Sequence, residues 1–141
     1  MEAMKLLRPV PESAAAARGF VERTLGAWGC DELVDDARVV ASELVTNVIR
    51  HAHTPTVVTL TRRADRVRLA VADGAPITAR VGASGQDPDA LDDGRGHGLV
   101  LVKALSDDWG VDLEPEGKSV WAEWDTARTS AAIRSAPSAV R

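Results

Sequence analysis

The sequence predicts an α+β fold, a two-layer α/β sandwich in which one mixed, mostly antiparallel sheet carries its helices on one face. Two observations carry that expectation. Apolar residues recur at helical spacing in two long early segments and one short late one, while the stretches between and after them alternate with period two. Helical and extended stretches are also grouped along the chain instead of alternating as βαβ units, which disfavours a Rossmann sheet.

Taken in order, Met4 to Val10 holds Leu6 and Leu7 ahead of Pro9 and Pro11, the mark of a short edge strand or an extended lead-in. Glu12 to Trp28 is Ala-rich with Phe20, Val21 and Leu25 at helical spacing, and Gly29 is its natural stop. Asp31 suits an N-cap for a second helix from Glu32 to His53, whose stripe of Leu33, Ala37, Val40, Leu44 and Val48 should face a core. His51 continues that side, so packing is its expected role. After Thr54-Pro55 the period changes to two. Val58 and Leu60 fall on one side and Val57, Thr59 and Thr61 on the other; beyond a polar turn at Arg63 to Arg66, Val67, Leu69, Val71 and Asp73 alternate with Arg68, Ala70 and Ala72. The pair reads as a hairpin with one buried face.

Gly74 to Gly98 gathers most of the turn formers, and loops of that length are usually functional. A helix from Leu99 to Asp108 should turn Leu99, Val102 and Leu105 or Ala104 inward and end at Gly110. Val111 to Leu113 and Ser119 to Trp124 then close a hairpin through Glu116-Gly117. Residues 1–125 form one domain on this reading, and the Ala, Ser and Arg-rich residues 126–141 a disordered tail.

A chain of 141 residues has room for one core. Its net charge of −4 excludes nucleic acid as the main partner, because backbone phosphates demand a surplus of clustered Lys and Arg. No apolar stretch approaches the ~20 residues that cross a bilayer. The lone Cys30 makes no internal disulfide and no leader pattern opens the chain, so a soluble, cytoplasmic protein is expected.

Three groups of residues carry chemistry. Glu43 and Asn47 stand four apart on the second helix, within about 40° of each other around its axis, at the border of the apolar stripe. An amide oxygen there suits Mg²⁺, which takes few protein oxygens and leaves the rest to water and phosphate. Asp73 ends a strand on the side of Leu69 and Val71, so its carboxylate should enter the layer between sheet and helices; burial there demands a hydrogen-bond donor, and an adenine amino group is one. Gly94-Arg95-Gly96-His97-Gly98 leads directly into a helix, a segment whose amides and N-terminal potential suit phosphate. It matches neither the Walker spacing nor a dinucleotide fingerprint.

In their order and combination, Glu43-Leu-Val-Thr-Asn47 with His51-Ala52, the Asp73-Gly74 strand end and Gly96-x-Gly98-Leu99 before a helix resemble the motifs of the GHKL (Bergerat-fold) ATPase superfamily. The resemblance is closest to the small anti-sigma factor serine-protein kinases and spans roughly Arg8 to Trp124, including the late strand from Gly117 to Glu123. It implies ATP and Mg²⁺ as cofactors, with Asn47 coordinating the metal, Glu43 as the catalytic base for the substrate hydroxyl, and Asp73 with Gly74 at the adenine. Gly94, Arg95, Gly96, His97, Gly98 and Leu99 would shape the phosphate end, Ser119 would support Asp73 or a water beside it, and Ile77 to Asp93 would be the lid.

The implied function is a serine/threonine protein kinase that phosphorylates a STAS-type anti-sigma factor antagonist in a partner-switching system and also engages a sigma factor, as a homodimer, with no direct contact to nucleic acid or membrane. Departures point to an alternative. The usual Asp-x-Gly-x-Gly box is shortened to Asp73-Gly74-Ala75-Pro76, and Asp92 and Asp93 place like charge ahead of the phosphate glycines. The shortened box motivates a catalytically silent, nucleotide-gated protein-binding module, while the paired aspartates point to modest affinity for ATP. A two-component histidine kinase is disfavoured, since His51, His53 and His97 all lie inside the ATP-binding segment.

Overall fold

The computed structural model describes residues 1–74 and 97–126, without the side chains of 97 and 98. Its strands are β1 (Glu2–Leu7), β2 (Thr56–Arg63), β3 (Arg66–Asp73), β4 (Asp108–Glu114) and β5 (Gly117–Asp125). Its helices are α1 (Glu12–Ala27), α2 (Val34–His51) and α3 (His97–Leu105), with a 3-10 turn at Asp31–Leu33 leading into α2. The strands form one sheet in the order β1-β2-β3-β5-β4, and every neighbouring pair is antiparallel. The fold is thus the α+β sandwich that the grouping of periods predicts.

The two-residue period decides which face is covered. Val58 and Leu60 on β2, Val67, Leu69 and Val71 on β3, and Val120, Ala122 and Trp124 on β5 are all buried, and they join one core with Val21 and Leu25 of α1 and Ala37, Val40, Leu44 and Val48 of α2. Helix α2 lies against β2 and β3 and packs along both α1 and α3. The expected stripe on α2 is buried throughout, Leu33 included.

Element ends differ from expectation where local hydrogen bonding overrides the apolar pattern. Asp31 caps nothing with its side chain; it opens the 3-10 turn, and α2 proper starts at Val34. That helix stops at His51 because His53 adopts φ 55°, outside helical space. His51 itself is exposed, so it does not pack in the core. Helix α3 starts at His97, two residues early, and ends at Leu105 instead of Asp108. Strand pairing takes over there: the Asp107 amide donates to the Glu123 carbonyl at 2.9 Å, and Trp124 Nε1 donates to the Leu105 carbonyl at 2.7 Å. Gly110 is therefore no helix stop but the middle of β4, opposite Trp121. Leu105, not Ala104, faces the core. Residues 127–141, where a tail is expected, lie outside the described residues.

The uncovered face of the sheet carries a charged cluster. Glu123 accepts from Arg66 Nη2 at 2.8 Å and from Arg68 Nε at 2.7 Å, and the Arg68 guanidinium lies 4.1 Å from the centre of the Trp121 ring. Burial pushes the Glu123 carboxyl up, but the two arginine hydrogen bonds outweigh it and hold the group below its ordinary 4.5. A depressed carboxyl stabilises the fold above its unfolded pKa and loses that contribution as pH falls through the lower folded value. Replacing Glu123 with Gln is expected to cost on the order of 1 kcal/mol at neutral pH, since both arginines are partly solvated. Denaturant melts at pH 7 and pH 3 check this: the gap between wild type and variant should close at the lower pH, and a constant gap contradicts the assignment.

Candidate nucleotide site

The inward row of β3, Val67, Leu69 and Val71, is continued by Asp73. Its side chain is wholly buried. In the antiparallel register Asp73 stands opposite Thr56 of β2 on one side and Lys118 of β5 on the other, and residues directly opposite share a face. Thr56 is buried, and its hydroxyl donates to the Ala72 carbonyl at 2.5 Å. Lys118 Nζ lies 3.7 Å from Asp73 Oδ2, an ion-pair distance, and the lysine side chain is 10% exposed. A carboxylate taken this far from water costs several kcal/mol unless a counter-charge accompanies it, and Lys118 is that charge.

The surrounding backbone fixes this arrangement. A side chain at Gly117 would overlap the Asp73 carbonyl, so only glycine lets β5 begin this close to the end of β3. The Gly74 amide donates to Thr54 Oγ1 at 3.0 Å, which ties the segment leaving α2 to the same strand end. Asn47 lies four residues before the last residue of α2, about 6 Å along the axis, and both it and Glu43 are half-buried beside Leu44 and Val48. The amide-bearing end of α2 and the buried carboxylate of β3 therefore occupy one end of the molecule.

Helix α3 is anchored at the other end, where Leu105 meets Trp124 opposite Val67. Packed along α2, it buries Leu99 and Val102, so Leu99 is a core residue. His97 and Gly98 are the first two residues of that helix. Gly94, Arg95, Gly96 and the segment from Ile77 to Asp93 lie outside the described residues.

One expected role is corrected by the register. Ser119 pairs with Ala72 and stands on the face away from Asp73, with Trp121 and Glu123; it does not support the carboxylate. Lys118 does. Sequence reasoning missed it, although Lys118 shares the parity of Val120, Ala122 and Trp124 and a lysine on an inward row needs an anion. A surface hollow of about 390 Å³ lined by Thr61, Arg63, Arg66, Arg68 and Glu123 lies on the opposite face and is no part of this site.

The donor set fits a purine mononucleotide: a buried acceptor at the sheet end, an amide on the neighbouring helix and a helix start following a glycine run. For Mg²⁺, Asn47 offers a single oxygen, and among the described residues no three His, Cys, Asp or Glu side chains gather into a further metal site. Among the same residues, no helix is long and apolar enough to cross a membrane.

The fold is an α+β sandwich with the buried Asp73 carboxylate at one end of its sheet. The chain belongs to the histidine kinase-like ATPase domain family, whose model matches residues 7–124, and with it to the GHKL superfamily; ATP binding follows from that membership. In structure it is similar to the RsbU and RsbW domains of Rv1364c from Mycobacterium tuberculosis, at 19% identity and a TM-score of 0.65 over 89% of this chain and 32% of that one. This likeness is one of fold, and the present chain spans about a third of that chain's length. No curated protein matches the chain.

Proposed function

We propose that this protein is an ATP-dependent serine/threonine kinase acting on a STAS-type anti-sigma factor antagonist, an anti-sigma factor-like regulator that also holds a sigma factor and works as a homodimer. The observation that carries the reading is the Asp73 carboxylate, buried at the strand end to which Thr54 ties the amide-bearing end of α2. Family membership, the fold it shares with an RsbW-containing structure, and Glu43 one turn before Asn47 support the finer assignment.

In this reading Asp73 accepts from the adenine amino group, and Gly74 allows the chain to turn beside the base. Asn47 would hold Mg²⁺, which would supply charge neutralisation at the phosphates. Gly94, Arg95, Gly96, His97 and Gly98 would meet the phosphates, because a glycine-rich run leading into a helix offers amides and a dipole that favour anions. Leu99 anchors that helix start in the core. The substrate hydroxyl gives its proton to Glu43 as its oxygen bonds to the γ-phosphorus; the bond from that phosphorus to the bridging oxygen breaks, and ADP carries the electron pair away.

Incubation with γ-labelled ATP and a cognate antagonist tests this. Label should appear on a serine or threonine of the antagonist. Should nucleotide tighten a partner complex while no label moves, the protein is a nucleotide-gated binding module, and the shortened box after Asp73 is the sequence feature that favours this alternative.

A further inference from the structure

We propose that Lys118 is a specificity-determining residue of the base pocket, donating from its ammonium to ring N1 of adenine while Asp73 accepts from the neighbouring N6 amino group. The inference rests on the ATP-binding reading and deepens it. It starts from the position of the lysine: the antiparallel register sets Lys118 directly opposite Asp73 on the helix-facing side, and Nζ sits 3.7 Å from Oδ2. With its side chain 10% exposed, this cation is nearly as enclosed as the carboxylate it accompanies.

A purely structural counter-ion would explain the pairing, but the edge of the base gives it a second use. Adenine presents a donor at N6 and an acceptor at the adjacent N1. A carboxylate and an ammonium side by side present the complementary acceptor and donor. Thr56, the other residue flanking Asp73, cannot serve N1, because its hydroxyl hydrogen is already given to the Ala72 carbonyl. The ammonium carries three N–H donors on a flexible stem, so it can stay within ion-pair range of Asp73 and direct a donor at the ring nitrogen. In the same pose guanine would set O6 against the carboxylate and N1–H against the ammonium, which is repulsive at both positions. The pair therefore rejects guanine twice.

Calorimetric titration of the full chain with ATP and with 1-deaza-ATP, which has C–H in place of N1, tests the proposal. Wild type should bind ATP about tenfold or more tightly than the analogue, the range for a hydrogen bond from a charged donor. In Lys118→Met the preference should vanish, the two nucleotides binding alike. Lys118→Arg, which keeps a cation beside Asp73, should retain part of the preference and guards against a Lys118→Met chain that fails to fold. Equal affinities for ATP and 1-deaza-ATP in wild type overturn the proposal, as does a preference that survives intact in Lys118→Met. Wild type that binds ATP without favouring N1 leaves the ATP reading standing and removes this inference alone; no binding of either nucleotide removes both.

Discussion

Replacing Asp73 with alanine is expected to lower ATP affinity at least a hundredfold, the largest effect of any single substitution in the site. The carboxylate is wholly buried at the end of β3 and would be the acceptor facing the base amino group. Loss of a charged acceptor in a dry pocket costs about 1.5–3 kcal/mol for the bond itself, and the unpaired amino group adds its own desolvation. The variant also leaves Lys118 buried without the carboxylate it faces, and breaking such a pair from one side costs about 3–5 kcal/mol of stability. Affinity and folding must therefore be separated. The double variant Asp73→Ala with Lys118→Met removes both charges; it should melt closer to wild type than Asp73→Ala does, yet bind ATP no better. ATP binding of near wild-type strength by a folded Asp73→Ala chain would contradict the placement of the base.

Glu43→Ala is expected to slow phosphoryl transfer to the antagonist by about a hundredfold to ten-thousandfold, the span of general-base contributions, while changing ATP affinity by less than about threefold. The split follows from position. Glu43 and Asn47 are one helical turn apart on α2, both half-buried at the edge of the Leu44 and Val48 stripe, so they lie on one side of the helix at neighbouring levels. The residue nearer the helix end is the one assigned to the metal, leaving the carboxylate one turn back to meet the incoming hydroxyl. Single-turnover transfer measured alongside ATP titration separates the two effects. Full transfer by Glu43→Ala would remove it as the base, and an equal loss in binding would make it a structural residue.

Much of this architecture is legible in the residues. Alternation at Val67, Leu69, Val71 and Asp73 places the carboxylate on the inward row, because a two-residue period leaves a strand only two faces. The stripe on α2 was equally plain. Cross-strand register was not. Parity within β5 puts Lys118 on the inward row and Ser119 on the other face, but that Lys118 stands directly opposite Asp73 depends on pairing between strands more than forty residues apart in sequence, and local pattern carries no such information. Helix ends escape local pattern for a related reason. Gly110 looks like a helix stop, yet Asp107 and Trp124 recruit the backbone into strand pairing and a side-chain contact first. His51 follows the apolar spacing of α2 but sits in its last turn and is exposed.

The most direct measurement is calorimetric titration of wild type and Asn47→Ala with ATP, each with and without Mg²⁺. One-to-one binding by wild type that tightens with magnesium, and that in Asn47→Ala weakens about tenfold and no longer responds to the metal, is the expected result. Binding that ignores magnesium in wild type, or an Asn47→Ala chain that responds to it unchanged, would show that the end of α2 and the end of β3 do not serve the same nucleotide.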